Sequence, residues 1–213
     1  MKKLALIACI APAFAGDATP VVTPAPAAPA APAAPCCTLE IGAGHNWASK
    51  DIIKHDVGSY KSVDTVSIDL TAVHALTPRH ALTFRLAGAE GDETTRLANR
   101  YKWYLRTISI MPGYRYTAPV GEKTSVFAGV NVGAVNQRIR GKVTGAYTFS
   151  DADSAWGFGA TGEVGVSYQL CPCSSVFAAY QLSGNTARNT IDGDMKNHRQ
   201  IHNGVRAGVS LKF

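Results

Sequence analysis

From residue 37 to the C-terminus, apolar side chains recur at every second position in runs of roughly ten residues, the pattern of half-buried strands. Eight such runs can be placed, near 37–48, 63–76, 81–90, 101–117, 124–139, 155–170, 175–183 and 201–213. None carries the roughly 3.6-residue period of an ordinary helix. Between the runs, Thr77–His80, Ala118–Lys123 and Cys171–Ser174 are short, whereas Ser49–Ser62, Gly91–Arg100, Arg140–Ser154 and Gly184–Gln200 are longer and polar. Long and short connections alternate.

The two faces of each run differ in an informative way. In the last run Ile201, Val205, Ala207, Val209, Leu211 and Phe213 share one face, and Arg206, Gly208, Ser210 and Lys212 the other. In the sixth, Trp156, Phe158, Ala160, Val164, Val166, Tyr168 and Leu170 oppose Gly157, Gly159, Thr161, Glu163, Gly165, Ser167 and Gln169. A polar, glycine-rich face is no core for a soluble sandwich, but it suits the lumen of a small barrel, where eight strands leave just enough room for side chains. The apolar face then meets lipid. Alternating turns and loops fit the same architecture, with short turns on the periplasmic side and longer loops outside. The expected fold is all-β, an eight-stranded antiparallel up-and-down transmembrane β-barrel with both termini periplasmic. Tyr101, Trp103, Tyr104 and Trp156 at the outer strand ends, with Tyr114, Tyr116 and Tyr168 toward the periplasmic ends, are expected to form two interfacial girdles.

The residues before the barrel are of another kind. Lys2 and Lys3, the apolar stretch Leu4–Ala11 and the small residues Ala13 and Ala15 around Phe14 read as a signal peptide over 1–15, implying export. A competing reading takes Leu6–Cys9 as a lipobox with Cys9 acylated. Residues 16–35 are dominated by Ala, Pro, Thr and Val, with prolines at 20, 24, 26, 29, 32 and 35, and read as an extended periplasmic tether. One folded domain, 36–213, follows. Cleavage after Ala15 removes two of the 21 basic residues, leaving 19 against 15 acidic and a net charge near +4. That suits anionic lipid headgroups as well as an ordinary solvated surface. No basic run with interleaved aromatics supports a nucleic-acid partner.

Cleavage also leaves Cys36, Cys37, Cys171 and Cys173, an even set that reads as disulfides in an oxidising compartment. Cys-Cys and Cys-Pro-Cys do not match the spacing of structural zinc sites, the competing metal reading. By position both pairs sit at the periplasmic end, and two bridges between the segments are expected, with partner choice open. No cofactor is implied.

The chain resembles the eight-stranded outer membrane barrels, the group of the OmpA transmembrane domain, OmpX and the opacity proteins. The resemblance covers about 36–213 and rests on topology, strand patterning and the terminal Val205, Ala207, Val209, Leu211 and Phe213. A C-terminal Phe after alternating apolar residues is similar to that group's insertion signal. It implies the barrel-assembly machinery as a partner, with outer membrane lipids and lipopolysaccharide around the barrel. The tether precedes the barrel, unlike the periplasmic domain of OmpA, and no peptidoglycan-binding domain is implied.

Strand parity places Glu40, Asp69, Arg85, Arg115, Glu163 and Arg206 in the lumen. Unpaired charges are costly in so confined a space, so a paired network is expected. Counting from the strand ends puts Asp69, Glu163 and Arg206 at similar heights and Glu40 near the level of Arg85. The network is either a structural plug or a gate formed by rearranging pairs. A lipid A-modifying enzyme would need a Ser, His and carboxylate constellation. Ser150 and Asp151 with His198 are the candidates, all in loops; no strand carries His-x-Ser, and no enzymatic activity is expected. The loops are the candidate site for an extracellular ligand. The expected role is structural or surface-interactive, adhesin-like, with a narrow, charge-plugged lumen, against a small-solute or ion pore.

Overall fold

The computed structural model describes residues 37–48, 53–55, 58–60, 63–96, 100–144, 149–191, 195–197 and 200–213. The expected signal peptide, the tether, Cys9 and Cys36 lie outside them. The described chain forms twelve strands: β1 (Cys37–Ala48), β2 (Ile53–His55), β3 (Gly58–Tyr60), β4 (Thr65–Ala75), β5 (His80–Arg96), β6 (Arg100–Pro119), β7 (Thr124–Thr144), β8 (Phe149–Cys171), β9 (Ser174–Asn185), β10 (Thr190–Ile191), β11 (Met195–Asn197) and β12 (Gln200–Lys212). Eight of them close into a barrel in the order β1-β12-β9-β8-β7-β6-β5-β4. All the pairings are antiparallel, and β1 against β4 completes the circle. Each barrel strand is flanked by its neighbours along the chain, an up-and-down topology without edges.

The alternation in sequence becomes an inversion of the usual interior. Residues at every second position point outward and are apolar: Ile68 is 67% exposed, Trp156 70% and Phe158 77%. The opposite face of the same strands is buried and mostly polar, with Thr71, Asn131, Glu163 and Arg206 among its members. Such a surface is stable only against hydrocarbon, because a broad exposed apolar belt in water drives association. Among the described residues no helix is long and apolar enough to cross a membrane; the belt is carried by strands.

The barrel wall is uneven in height. β1, β4 and β9 contain 12, 11 and 12 residues, close to the roughly 9–11 that a tilted strand needs to cross a bilayer. β6, β7 and β8 contain 20, 21 and 23. The expected loops at 91–100 and 140–154 are therefore largely ladder: β5 runs to Arg96 and pairs with β6 from Arg100, and β7 runs to Thr144. Beyond the belt the outer face of these hairpins is polar, and Glu93, Gly141 and Asp151 stand on the inner one. The apolar alternation stops there while backbone pairing continues, so the sequence pattern marks the end of the membrane rather than the end of the strand. The longer connections at 49–62 and 184–200 also contribute strands, β2 and β3 from one and β10 and β11 from the other, joined in a second sheet of order β10-β11-β2-β3.

Candidate functional site

Six charged side chains from six different barrel strands converge inside the bore. Glu40 on β1, Asp69 on β4, Arg85 on β5, Arg115 on β6, Glu163 on β8 and Arg206 on β12 are all buried. Arg206 donates from Nη2 to Asp69 Oδ1 at 2.6 Å and from Nη1 to Glu163 Oε2 at 2.8 Å, and Nη2 lies 3.6 Å from Glu40 Oε2. Arg115 Nη2 donates to Glu40 Oε2 at 2.9 Å and to Glu163 Oε1 at 2.8 Å, while its Nη1 donates to Glu40 Oε1. Arg85 Nη2 reaches Asp69 Oδ2 at 3.3 Å and the Gln181 amide oxygen at 3.0 Å, and Nη1 lies 3.9 Å from Glu163 Oε2. Glu163 thus faces all three guanidiniums, and three cations balance three anions.

Arg206 binds Asp69 and Glu163, with which counting places it at one height, whereas Glu40 and Arg85 do not pair. Glu40 engages Arg115 and Arg206, and Arg85 turns to Asp69 and Glu163. Glu40, Thr71 and Arg85 do lie in one cross-strand row. The rows climb around a staggered barrel, however, and long guanidinium arms leave their own row.

The surroundings fit the network closely. Thr71 Oγ1 donates to Asp69 at 3.3 Å, and Ser210 Oγ to Glu40 at 3.5 Å. Arg115 stacks over the Phe127 ring and Arg206 over the Phe177 ring, each 4.6 Å from the centroid, a geometry that adds cation–π attraction. The two rings meet edge to face with centroids 6.4 Å apart and form an apolar floor on the short-turn side. Gly42 leaves room for the network: a Cβ there would stand 2.8 Å from Asp69 Oδ2 and 3.1 Å from Arg206 Nη2, displacing the ion pair.

Toward the long-loop end, Arg85, Gln181, Asn46 and Thr65 border a small cavity of about 90 Å³. Gln181 Nε2 donates to Asn46 Oδ1, and Asn46 Nδ2 to Thr65 at 3.3 Å. Leu105 and Val135 also border this cavity, and beyond it Trp103 and Ile139 are buried on the same inner face, with Gln137 between Val135 and Ile139. Trp103 occupies the space left by Gly141, where a Cβ would come within 2.5 Å of the indole ring. The segment after β9 reinforces this seal: Ala187 and Asn189 are buried, and Asn189 Nδ2 donates to the Gln137 carbonyl at 3.1 Å. The bore therefore has two closures in series, one ionic and one apolar.

Trp103 corrects one sequence expectation. It lines the lumen rather than the outer girdle, on the same face of β6 as Arg115, as the even separation of 12 residues required. Tyr104, Trp156, Tyr114, Tyr116 and Tyr168 do point outward; the Tyr101 side chain lies outside the described residues. Assigning Trp103 to a girdle and following only charged residues into the lumen misses the apolar closure, although Leu105, Val135 and Ile139 lie in predicted strand runs and share lumen parity.

The described cysteines lie at the short-turn end with no bridge among them; Cys36, a partner in the expected bridges, lies outside the described residues. Cys37, Cys171 and Cys173 are free thiols, with Cys37 Sγ 3.6 Å from His74 Nδ1 and Cys171 Sγ 2.9 Å from both Cys173 Sγ and Ser174 Oγ. Cys37 and Cys173 are separated by β12, which pairs with β1 and carries the Lys212 amide that donates to the Cys173 carbonyl at 2.8 Å. Hydrogen bonding from Cys173 and Ser174 lowers the Cys171 thiol to a pKa of about 7 and leaves that of Cys173 raised. Among the described residues no group of His, Cys, Asp or Glu is arranged to hold a metal ion. Ser150 and Asp151 lie on β8 rather than in a loop, at adjacent positions that face opposite ways, and His198 lies outside the described residues. Val205, Val209, Leu211 and Phe213 present their side chains on the outer surface.

No family model matches the chain, and no curated protein matches it. Solved structures do. The outer membrane protein OprG from Pseudomonas aeruginosa matches with a TM-score of 0.50 at 14% identity, covering 84% of this chain and 96% of that one. Neisserial surface protein A matches at 17% identity and a TM-score of 0.48, covering 83% and 97%. Ail, the attachment invasion locus protein of Yersinia pestis, in complex with the heparin analogue sucrose octasulfate, matches at 12% identity and a TM-score of 0.49, covering 84% and 99%. The closed eight-stranded barrel, its outward apolar belt and the likeness to OprG together define the fold class: this chain is a transmembrane β-barrel of the outer membrane type.

Proposed function

We propose that this chain is an integral outer membrane protein with a structural or surface-interactive role and a closed lumen. The single observation that carries the reading is the ring of six lumen charges, buried and mutually neutralised, lying across the bore. Neutral pairing leaves no net fixed charge to attract a permeant ion, and the buried side chains of Trp103, Leu105, Val135, Gln137 and Ile139 fill the bore beyond it. Contact with the surroundings then falls to the outer surface, to the tall β5–β8 wall and to the connections around it. In this reading the short-turn end and both termini are periplasmic, 1–15 is a cleaved signal and 16–35 a tether. The barrel-assembly machinery reads Val205, Ala207, Val209, Leu211 and Phe213 during insertion, and outer membrane lipids and lipopolysaccharide surround the folded barrel.

Planar-bilayer recording of the purified full-length protein tests the closed lumen. The expected trace is silent at neutral pH. Steady, voltage-independent conductance from the unmodified protein would overturn the reading in favour of a small-solute or ion pore.

A further inference from the structure

The outward face of the tall wall changes character one row above the membrane belt. On β6 the outward series Tyr116, Tyr114, Pro112, Ile110, Ile108 is apolar or aromatic, and the next outward residue is Arg106. On β7 the corresponding series ends at Asn136 and continues with Arg138. These two arginines are direct cross-strand partners, Arg106 against Arg138. Two rows further out Lys102 is paired with Lys142, and between them Tyr104 is paired with Arg140. Like charges placed directly opposite each other destabilise a sheet, so a doubled arrangement of this kind is unfavourable unless an anion lies between the side chains.

The protein supplies only part of that neutralisation. Glu90 meets Arg106 at 3.2 Å and Asp92 meets Lys102 at 3.2 Å. Arg138, Arg140 and Lys142 have no acidic partner among the described residues. Among the described side chains of this face, the five cations Lys102, Arg106, Arg138, Arg140 and Lys142 meet the two anions Glu90 and Asp92, an excess of three positive charges. Between β5, β6 and β7 it is concave, forming a groove of about 400 Å³ bordered by Tyr104, Arg106, Arg138 and Arg140. Trp156 and Phe158, both highly exposed, mark the upper edge of the belt on the adjoining β8.

We propose that this groove binds the phosphate groups of an outer-leaflet glycolipid of the lipid A class. The chemistry required is a phosphorylated headgroup held at the height where acyl chains begin. The geometry offers planar guanidiniums, suited to bidentate phosphate contacts, immediately above an apolar face suited to the acyl chains of the same molecule. A soluble sulfated or phosphorylated glycan would use the cations alone, whereas a phosphorylated glycolipid also lays its acyl chains on the adjoining belt. The inference rests on the long-loop end facing outward.

The test uses the full-length protein in zwitterionic detergent micelles, titrated with bis-phosphorylated lipid A, with the same lipid enzymatically dephosphorylated, and with phosphatidylglycerol. Binding and urea unfolding are followed for the unmodified protein and for the double variant Arg138→Gln, Arg140→Gln. Both side chains are exposed, and neither belongs to the lumen network. Bis-phosphorylated lipid A is expected to bind, the dephosphorylated form not to bind, and the double variant to bind about 30-fold more weakly, from two cations near an anionic surface. Without lipid A the double variant is expected to be at least as stable as the parent, because a like-charge opposition is removed. With lipid A the order reverses.

Equal binding of phosphatidylglycerol, equal binding by the double variant, or binding of a sulfated polysaccharide in place of lipid A would each overturn the proposal. Orientation is checked separately by labelling Ser150→Cys in intact cells with a maleimide carrying a large polymer. Failure to label would remove the proposed orientation while leaving the in vitro binding result to stand or fall on its own.

Discussion

Arg206 holds the lumen together because it is the only one of the three arginines within 4 Å of all three carboxylates. Truncating it leaves Asp69 and Glu163 buried with one guanidinium contact fewer each, and removing one partner of a buried pair costs about 3–5 kcal/mol. Arg206→Ala is therefore expected to lower the urea midpoint of the barrel refolded in lipid vesicles, followed by tryptophan fluorescence. An unchanged midpoint would mean that the network contributes nothing to stability. Parity made all six members legible in the sequence, since a strand has only two faces. The level of Arg206 with Asp69 and Glu163 was legible too, but the partners of Arg85 and Arg115 were not, because barrel stagger and the reach of a guanidinium decide them. A second residue-scale prediction concerns Cys171. Its lowered pKa of about 7 means that the reactive thiolate fills as pH rises through neutrality, while Cys173 stays protonated to higher pH. Iodoacetamide labelling with peptide mapping is expected to modify Cys171 first, with a rate rising between about pH 6 and 8. Equal rates for the two thiols would contradict the Cys171–Cys173–Ser174 arrangement.

At the scale of elements, the β5–β6 and β7–β8 hairpins decide what lies above the ionic network. They carry Trp103, Leu105, Val135 and Ile139 on their inner face and so add an apolar closure to the charged one. Closures in series make a specific prediction for conductance. Arg206→Ala and Trp103→Ala, each alone, leave one barrier in place and are expected to stay electrically silent. The double variant, provided it refolds, is expected to conduct. Conductance from Trp103→Ala alone would show that the ionic network does not block ions. The barrel strands were legible wherever bilayer on one side and lumen on the other imposed a period of two. The hairpin extensions were not, because neither face of them is consistently apolar; Glu93 and Thr94 continue the ladder with no apolar residue to announce it. Pro112 is a further case. A proline argues against an interior strand position, yet it sits on β6 paired to Phe84, and the β6–β7 ladder is interrupted beside it between Ile110 and Gly113.

For the molecule as a whole, the governing fact is that its polar and apolar faces are exchanged relative to a soluble protein. The buried interior is rich in Thr, Ser, Asn, Gln and paired charge, and the surface carries Ile68, Phe84, Val132, Phe158 and Val164 in a continuous outer belt. A fold with this surface is soluble only when hydrocarbon or detergent covers the belt, and the antiparallel closure that leaves no edge also makes it resistant to denaturant. Electrophoresis of the membrane-extracted protein in SDS, unboiled against boiled, examines this most directly. The folded barrel is expected to survive unboiled SDS as a compact, faster-migrating species and to shift to the mobility of the unfolded chain on boiling. Identical mobility in both lanes, with the protein released from membranes by urea alone, would contradict a closed transmembrane barrel.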